Sequence, residues 1–339
     1  MVKFNRTNSP FGVRSVFFFA VVLLLCLSGC ATPNIQPFAD GAAKFSSSVR
    51  LTNTEVESRF KPLATSNAGI KEELGRFSEA AKIYNDMASL SASYSAALAE
   101  LAAAGETGGE AAQKISDSIA GFGELLHLTT PALLPASLAT SAAGKSILKA
   151  AELWNRAQAQ ESLQESMEIA DQAVQEMADA LEEVYGRPIN GINKPYQDII
   201  ENLVSLEISR QKVIVGAGRL FFYKDSAKTE AQAIADMMQG KTINEQTESI
   251  LRMRERVKPD VQAYERRKRE LDEWQAKQLA LSYLIAGTAK AWAQEHHRLK
   301  GWLEKCGGVR YLKNDCGQFS APSLNAFVSD IQFIWERER

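Results

Sequence analysis

The stretch LQESMEIADQAVQEMADALEEVY, Leu163 to Tyr185, decides the fold. Its apolar positions are Leu163, Met167, Ala170, Val174, Met177, Leu181 and Val184, separated by steps of 4, 3, 4, 3, 4 and 3. On an α-helix these positions form one stripe, the a/d seam of a coiled coil held for three heptads. A strand, with its period of two, would scatter them over both faces. Working outward, the same rhythm recurs. Ile70, Leu74, Phe77, Ala81 and Tyr84 step 4, 3, 4, 3. After one slip, Met87, Leu90, Tyr94, Ala97 and Leu101 step 3, 4, 3, 4. A third seam runs through Ile192, Tyr196, Ile199, Leu203 and Leu206. Ala, Glu, Gln, Lys, Leu and Met dominate, which are good helix formers, and strand signals are almost absent.

Pro and Gly divide the pattern. The first helix is expected to start after Pro62 and end near Gly105. A Gly-broken piece follows from about Gly109 to Leu128, then a long helix from Leu138 to Tyr185, stopped by Gly186-Arg187-Pro188. The next is expected from Lys194 or Pro195 to Gln239. A shorter piece, Thr242 to Val257, should end before Pro259, and another long helix should run from Asp260 to Glu304. A last helix spans Ser323 to Glu336. Helices of ~40 residues are ~60 Å long and marginal alone, so their seams must pack on one another. The expected fold is all-α, an elongated antiparallel bundle with coiled-coil-like seams over residues 41–304. Charge suggests one pairing. Between Glu152 and Glu207 there are 12 acidic and 3 basic residues, net −9; between Arg252 and Lys300 there are 12 basic and 7 acidic, net +5. Adjacent packing of these two segments relieves like-charge repulsion.

The N-terminus carries a different message. Lys3, Arg6 and Arg14 precede an apolar run, Val16 to Leu27, and no acidic residue occurs in the first 29 positions. A run of about 12 residues is too short for a bilayer, which needs ~20. A cationic start, a short apolar middle and small residues afterwards describe a secretory signal peptide. The run ends in Leu27-Ser28-Gly29-Cys30, which resembles the lipobox of bacterial lipoprotein precursors at all four positions. The resemblance covers this segment only. It implies cleavage after residue 29 and lipid on Cys30. It also implies the outer membrane, because Ala31, not Asp, follows the cysteine. Residues 30–40 then read as the lipidated cysteine and a spacer, extended from Thr32 to Phe38 around Pro33 and Pro37. Several acyl chains anchor stably, each buried CH2 contributing ~0.8 kcal/mol.

Of the four cysteines, Cys26 would leave with the leader and Cys30 would carry lipid, leaving Cys306 and Cys316. They bracket the turn-forming pairs Gly307-Gly308 and Asn314-Asp315, and an exported compartment permits a disulfide between them. Residues 305–339 are thus expected to form a disulfide loop and a final helix. CxxC spacing and neighbouring histidines, which a metal or redox site would want, are missing there. His296 and His297 are adjacent, point about 100° apart on a helix and cannot chelate one ion together, so a solvated helix face is their expected setting. No metal and no cofactor are expected. Removing residues 1–29 leaves 36 basic and 41 acidic residues, a formal charge of −5, which gives no general pull toward nucleic acid.

Four stretches could carry function. Val213 to Phe221, VIVGAGRLF, imitates a dinucleotide-binding turn, but the third glycine position falls on Phe221 and the upstream residues are helical. Gly216, Ala217 and Gly218 are read instead as a place where helices approach closely. Leu125 to Gly144, LLHLTTPALLPASLATSAAG, has no formal charge and is bent by Pro131 and Pro135; a buried hairpin is expected, with membrane insertion as the alternative. The run from Glu265 to Arg269 holds four cations but spreads them around the helix, a solvated face. The C-terminal region concentrates aromatics, including Trp302, Tyr311, Phe319 and Trp335. Leu126, Leu128, Leu133, Leu134 and Leu138 of the hairpin, with those four aromatics, are the candidate contacts to a membrane or an envelope protein partner. No hydrolase motif occurs and no enzyme is expected, the alternative being an enzyme whose site is assembled from scattered residues without a recognisable motif. The expected protein is a lipid-anchored, periplasm-facing helical scaffold that binds protein, with self-association possible.

Overall fold

The computed structural model describes residues 34–104, 113–115, 117, 145–146, 149, 152–153, 163–190, 193–305 and 319–336. Most of these residues are helical and, among them, no strand occurs. The elements are α1 (Gln36–Ala64), α2 (Ala68–Ala104), α3 (Leu163–Tyr185), α4 (Pro195–Val215), α5 (Ala217–Asp225), α6 (Ala227–Met238), α7 (Glu245–Lys305) and α8 (Pro322–Glu336). None of them is long and apolar enough to cross a membrane. The all-α expectation is met.

The seams are the core. Ile70, Leu74, Phe77, Ala81 and Tyr84 are all buried, as are Ala170, Val174, Met177, Leu181 and Val184. Tyr196 and Leu203 are buried, with Ile199 and Leu206 packed half-buried beside them. The 61-residue α7 is the central element, ~90 Å long at 1.5 Å per residue. It touches α1, α3, α4, α5, α6 and α8. The charge pairing also holds: Lys290 lies 2.5 Å from Asp179 and 2.8 Å from Glu182, and Lys300 lies 3.7 Å from Glu168.

Several boundaries differ from the sequence reading. The supposed spacer is already helix from Gln36, and Ile35 and Phe38 are buried at 2% and 0% exposure. Pro62 does not precede the first helix; it lies in the last turns of α1, where few bonds are lost. Asn67 then caps α2, its Oδ1 accepting from the Ile70 N–H at 3.1 Å. Pro259 does not stop a helix either, because α7 runs through it. The missing bond is offset by packing on both sides, with Arg254 at 7% exposure before it and Val261 at 2% after it. Conversely, the expected helix from 194 to 239 is broken twice, at Gly216 and Ser226. Gly216 has φ +88°, a left-handed conformation that disfavours any side chain. A Cβ there would meet nothing nearer than 3.9 Å, so the glycine serves the bend and not a close approach. Close approach occurs instead at Gly287, where a Cβ would sit 2.6 Å from the Phe327 ring and hold α8 away from α7.

The bend creates a small separate cluster. Val215, Leu220 and Val261 are buried together, with Tyr223 and Tyr264 against them. Arg254 ties it down, pairing with Glu230 at 2.6 Å, donating to the Tyr223 carbonyl and lying 3.8 Å over the Tyr223 ring.

Candidate functional site

Chemistry-bearing side chains gather in two places. The first is a polar chain sealed between α2, α3 and α7. Tyr94, His296 and Asp171 are driven to the core by their places in apolar seams. Ile285, Ala289, Trp292, His296, Leu299 and Leu303 all lie on one buried stripe of α7. The His296 Nδ1 lies 3.0 Å from one Asp171 oxygen, and the His297 Nδ1 lies 2.8 Å from the other. On its far side the His296 Nε2 is 2.9 Å from the Tyr94 hydroxyl. His296 thus bridges the two, its Nδ1 facing the Asp171 carboxylate and its Nε2 the Tyr94 hydroxyl, so both ring nitrogens have a partner. Burial alone raises the Asp171 pKa. The hydrogen bonds and charge of the two histidines outweigh it, so this carboxyl stays below the usual carboxylate range. Burial pushes the Tyr94 hydroxyl far up, so it is never ionised. His296 is therefore not on a solvated face, contrary to the sequence reading; only His297 is exposed, at 69% of its side chain. The adjacent pair binds one carboxylate instead of one metal. Among the described residues no group of His, Cys, Asp or Glu could hold a metal ion. The buried members of the polar chain, Tyr94 and His296, fix α2 and α7 to α3 through Asp171.

The second place is a cleft between α2 and α4, of about 380 Å³. Phe77, Tyr84, Val184 and Tyr196 form its floor, and Glu73, Glu79, Asp198 and Glu201 its walls. The floor rings belong to a series of tilted and edge-on contacts: Phe77–Tyr196 at 6.0 Å, Tyr196–Tyr185 at 4.9 Å and Tyr185–Tyr84 at 5.6 Å between centroids. The hydroxyl of Tyr196 donates to Gln278 at 3.0 Å and that of Tyr185 to Asn53 at 3.1 Å. A seam reading marks Phe77, Tyr84 and Tyr196 as core. The carboxylates flanking the same seams, at 73, 79, 198 and 201, were the available signal for a cleft edge.

The sequence-predicted contact residues separate. Trp302 and Phe319 meet, their rings 5.8 Å apart, with Phe319 buried. The Phe319 N–H donates to the Asn34 carbonyl at 3.1 Å, which brings this pair beside the start of α1. Trp335 lies elsewhere, its ring 4.3 Å from the Lys277 ammonium. Tyr311, Cys306 and Cys316 lie outside the described residues, as do Leu126, Leu128, Leu133, Leu134 and Leu138. So do Cys30 and Leu27, Ser28 and Gly29 before it. The VIVGAG stretch is the end of α4 and the bend after it, with Val213 79% and Ile214 62% exposed, so no strand is present to support a dinucleotide turn. In the cationic run, Arg267 pairs with Glu270 at 3.3 Å and Lys268 with Asp272 at 3.2 Å, the solvated face expected.

No protein-family model matches the chain, and no match is found among curated proteins or solved structures.

Proposed function

We propose that the chain is a lipid-anchored lipoprotein of the bacterial outer membrane whose helical body is a periplasm-facing scaffold for an envelope protein. The observation that carries this reading is the shortness of the link between the lipobox cysteine and the folded core. Cys30 is five residues from Ile35, which is already buried, and five extended residues span at most ~17 Å. Lipid at Cys30 would therefore hold the start of α1 at the membrane surface. α7 would carry the body outward, since Phe38 lies near His296 while the Gly216 cluster packs at the opposite end of that helix. The partner-binding role is read from the proposed tether together with the helical body packed around α7.

The test is intact mass and membrane fractionation of the expressed chain beside a Cys30→Ala variant. Wild type is expected to float with outer membranes, begin at residue 30 and carry acyl mass, while the variant does not. An unmodified chain starting elsewhere would overturn the reading.

A second reading, membrane insertion of residues 125–144, is favoured by one observation. Residues 125–144 hold no Asp, Glu, Lys or Arg, so inserting them in a bilayer buries no formal charge. Dye release from liposomes by the full chain is then expected to exceed that of Leu133→Asp. Equal release by both would remove this reading.

A further inference from the structure

We propose that the chain pairs with a second copy of itself through the open face of α6, in an antiparallel contact with two-fold symmetry. The bundle thins at this place. α6 packs against α5 and α7. Of the ten large apolar side chains exposed among the described residues, seven lie between Val213 and Met253. Three of the seven, Ile234, Met237 and Met238, are on α6 itself, at 49%, 50% and 84% exposure.

This helix carries two stripes side by side. Ser226 at its N-cap, Glu230 and Ala233 step 4 and 3 and turn inward. Ser226 and Ala233 are buried, and Glu230 pairs with Arg254 of α7 at 2.6 Å. One residue further along, Ala227, Ala231, Ile234 and Met238 step 4, 3 and 4, the rhythm of the core seams, and all four are exposed. At ~100° per residue they fall within ~60° of the circumference. A stripe in this register is a surface for packing another helix, and among the described residues no helix covers it.

The order of side chains along the stripe selects the occupant. Two small residues lead and two large ones follow. An antiparallel copy, with the axis between Gln232 and Ala233, sets Ala231 against the partner's Ile234 and Ala227 against the partner's Met238. Each large knob then meets a small hole, and each contact occurs twice, as a two-fold interface requires. A parallel copy would set Met on Met and Ile on Ile and leave the alanines facing a gap. Charge speaks against a lipid surface: α6 holds Lys228 against Glu230 and Asp236, which gives anionic head groups no attraction. Doubling the hairpin of α6 and α7 supplies the second layer that two helices alone lack. The face is one helix of 12 residues, ~18 Å long. It buries less than the ~800 Å² per partner of a standard interface, so the dimer is weak and reversible.

The pairing does not depend on lipid at Cys30, so its test is separate from that of the tether. It is sedimentation equilibrium of the purified full chain in density-matched detergent, across micromolar concentrations. A reversible monomer–dimer equilibrium is expected. Ala231→Lys and Ile234→Glu each replace an exposed side chain by a good helix former, so circular dichroism should match wild type. Each variant's own dimer is expected to weaken at least about tenfold, because a charge is buried without a partner. A one-to-one mixture of the two is expected to regain at least about tenfold, because position 231 of one copy faces position 234 of the other and ammonium meets carboxylate. A monomeric wild type would overturn the proposal, and binding of that monomer to phosphatidylglycerol vesicles, lost in Ile234→Glu, would give the face to lipid instead. Folded variants that dimerise like wild type would also overturn it, as would a mixture no tighter than either variant alone.

Discussion

Asp171→Asn is expected to destabilise the protein by about 2–3 kcal/mol at neutral pH, measured as a shift in the urea unfolding midpoint. Asparagine keeps the shape but not the hydrogen-bond arithmetic. The carboxylate accepts from His296 at 3.0 Å and from His297 at 2.8 Å. The amide has one acceptor oxygen, so its NH2 must face one of the two Nδ1–H donors. The bond to His297 counts for little, because that ring is largely exposed and solvent can replace the contact. The cost is concentrated at His296, fully buried, whose other nitrogen is committed to Tyr94. Lys300, 3.9 Å away and shared with Glu168, loses one of its two counter-charges as well. The effect has a sign in pH. Asp171 is depressed in the folded state, so its contribution is complete above the unfolded carboxyl value of ~3.9 and is lost as pH falls through the lower folded value. The gap between wild type and variant should therefore be constant near neutrality and close in strong acid. Glu207, buried and held low by Arg210, Gln211 and Arg267 against the cost of burial, drives wild type in the same direction. A gap that widened as pH fell below 4 would show that the histidines do not hold this carboxylate ionised.

How much of this was legible in the sequence depends on which force set each element. Where a side-chain stripe alone decides, as along Leu74, Phe77, Ala81 and Tyr84, periodicity and structure agree. The first helix went unread although its stripe is present: Phe38, Phe45, Val49, Val56 and Phe60 are all buried at 0%. Ser, Thr and Asn fill the gaps between them, and their weak helix propensity hid a helix that tertiary packing makes. Pro259 was over-read for the converse reason, since a local penalty of about 3 kcal/mol is small against the packing along a 61-residue helix. His296 is the instructive miss. Beside a second histidine it looks like surface, yet it occupies the seam position four residues after Trp292, and its partners Tyr94 and Asp171 lie 202 and 125 residues away. Separations of that size carry no local signal. The cleft was invisible for the same reason, because its floor and walls come from α2, α3 and α4.

Trp292→Ala is expected to cost about 3–5 kcal/mol, the largest effect of any single substitution argued for this chain. Trp292 is fully buried and is the bulkiest such side chain in the core. It lies one turn from His296 on α7, so the cavity would open beside the polar chain that joins α2, α3 and α7. The bulk and the indole N–H can be separated. The Nε1–H donates to the Ser95 hydroxyl at 3.0 Å, and that hydroxyl in turn donates to the Ser91 carbonyl at 2.8 Å, so neither group is left over. Trp292→Phe keeps most of the ring and removes the donor, leaving Ser95 still bonded to Ser91; about 1–2 kcal/mol is expected. Ser95→Ala does the reverse and strands a buried N–H, which costs about 1–3 kcal/mol although only one oxygen is deleted. The double variant Trp292→Phe/Ser95→Ala should then be more stable than the sum of its parts predicts, because removing both partners leaves nothing unpaired. Urea unfolding of the four proteins measures this coupling directly. Strict additivity would mean that packing alone holds α2 to α7 at this level, and that the indole hydrogen bond adds nothing.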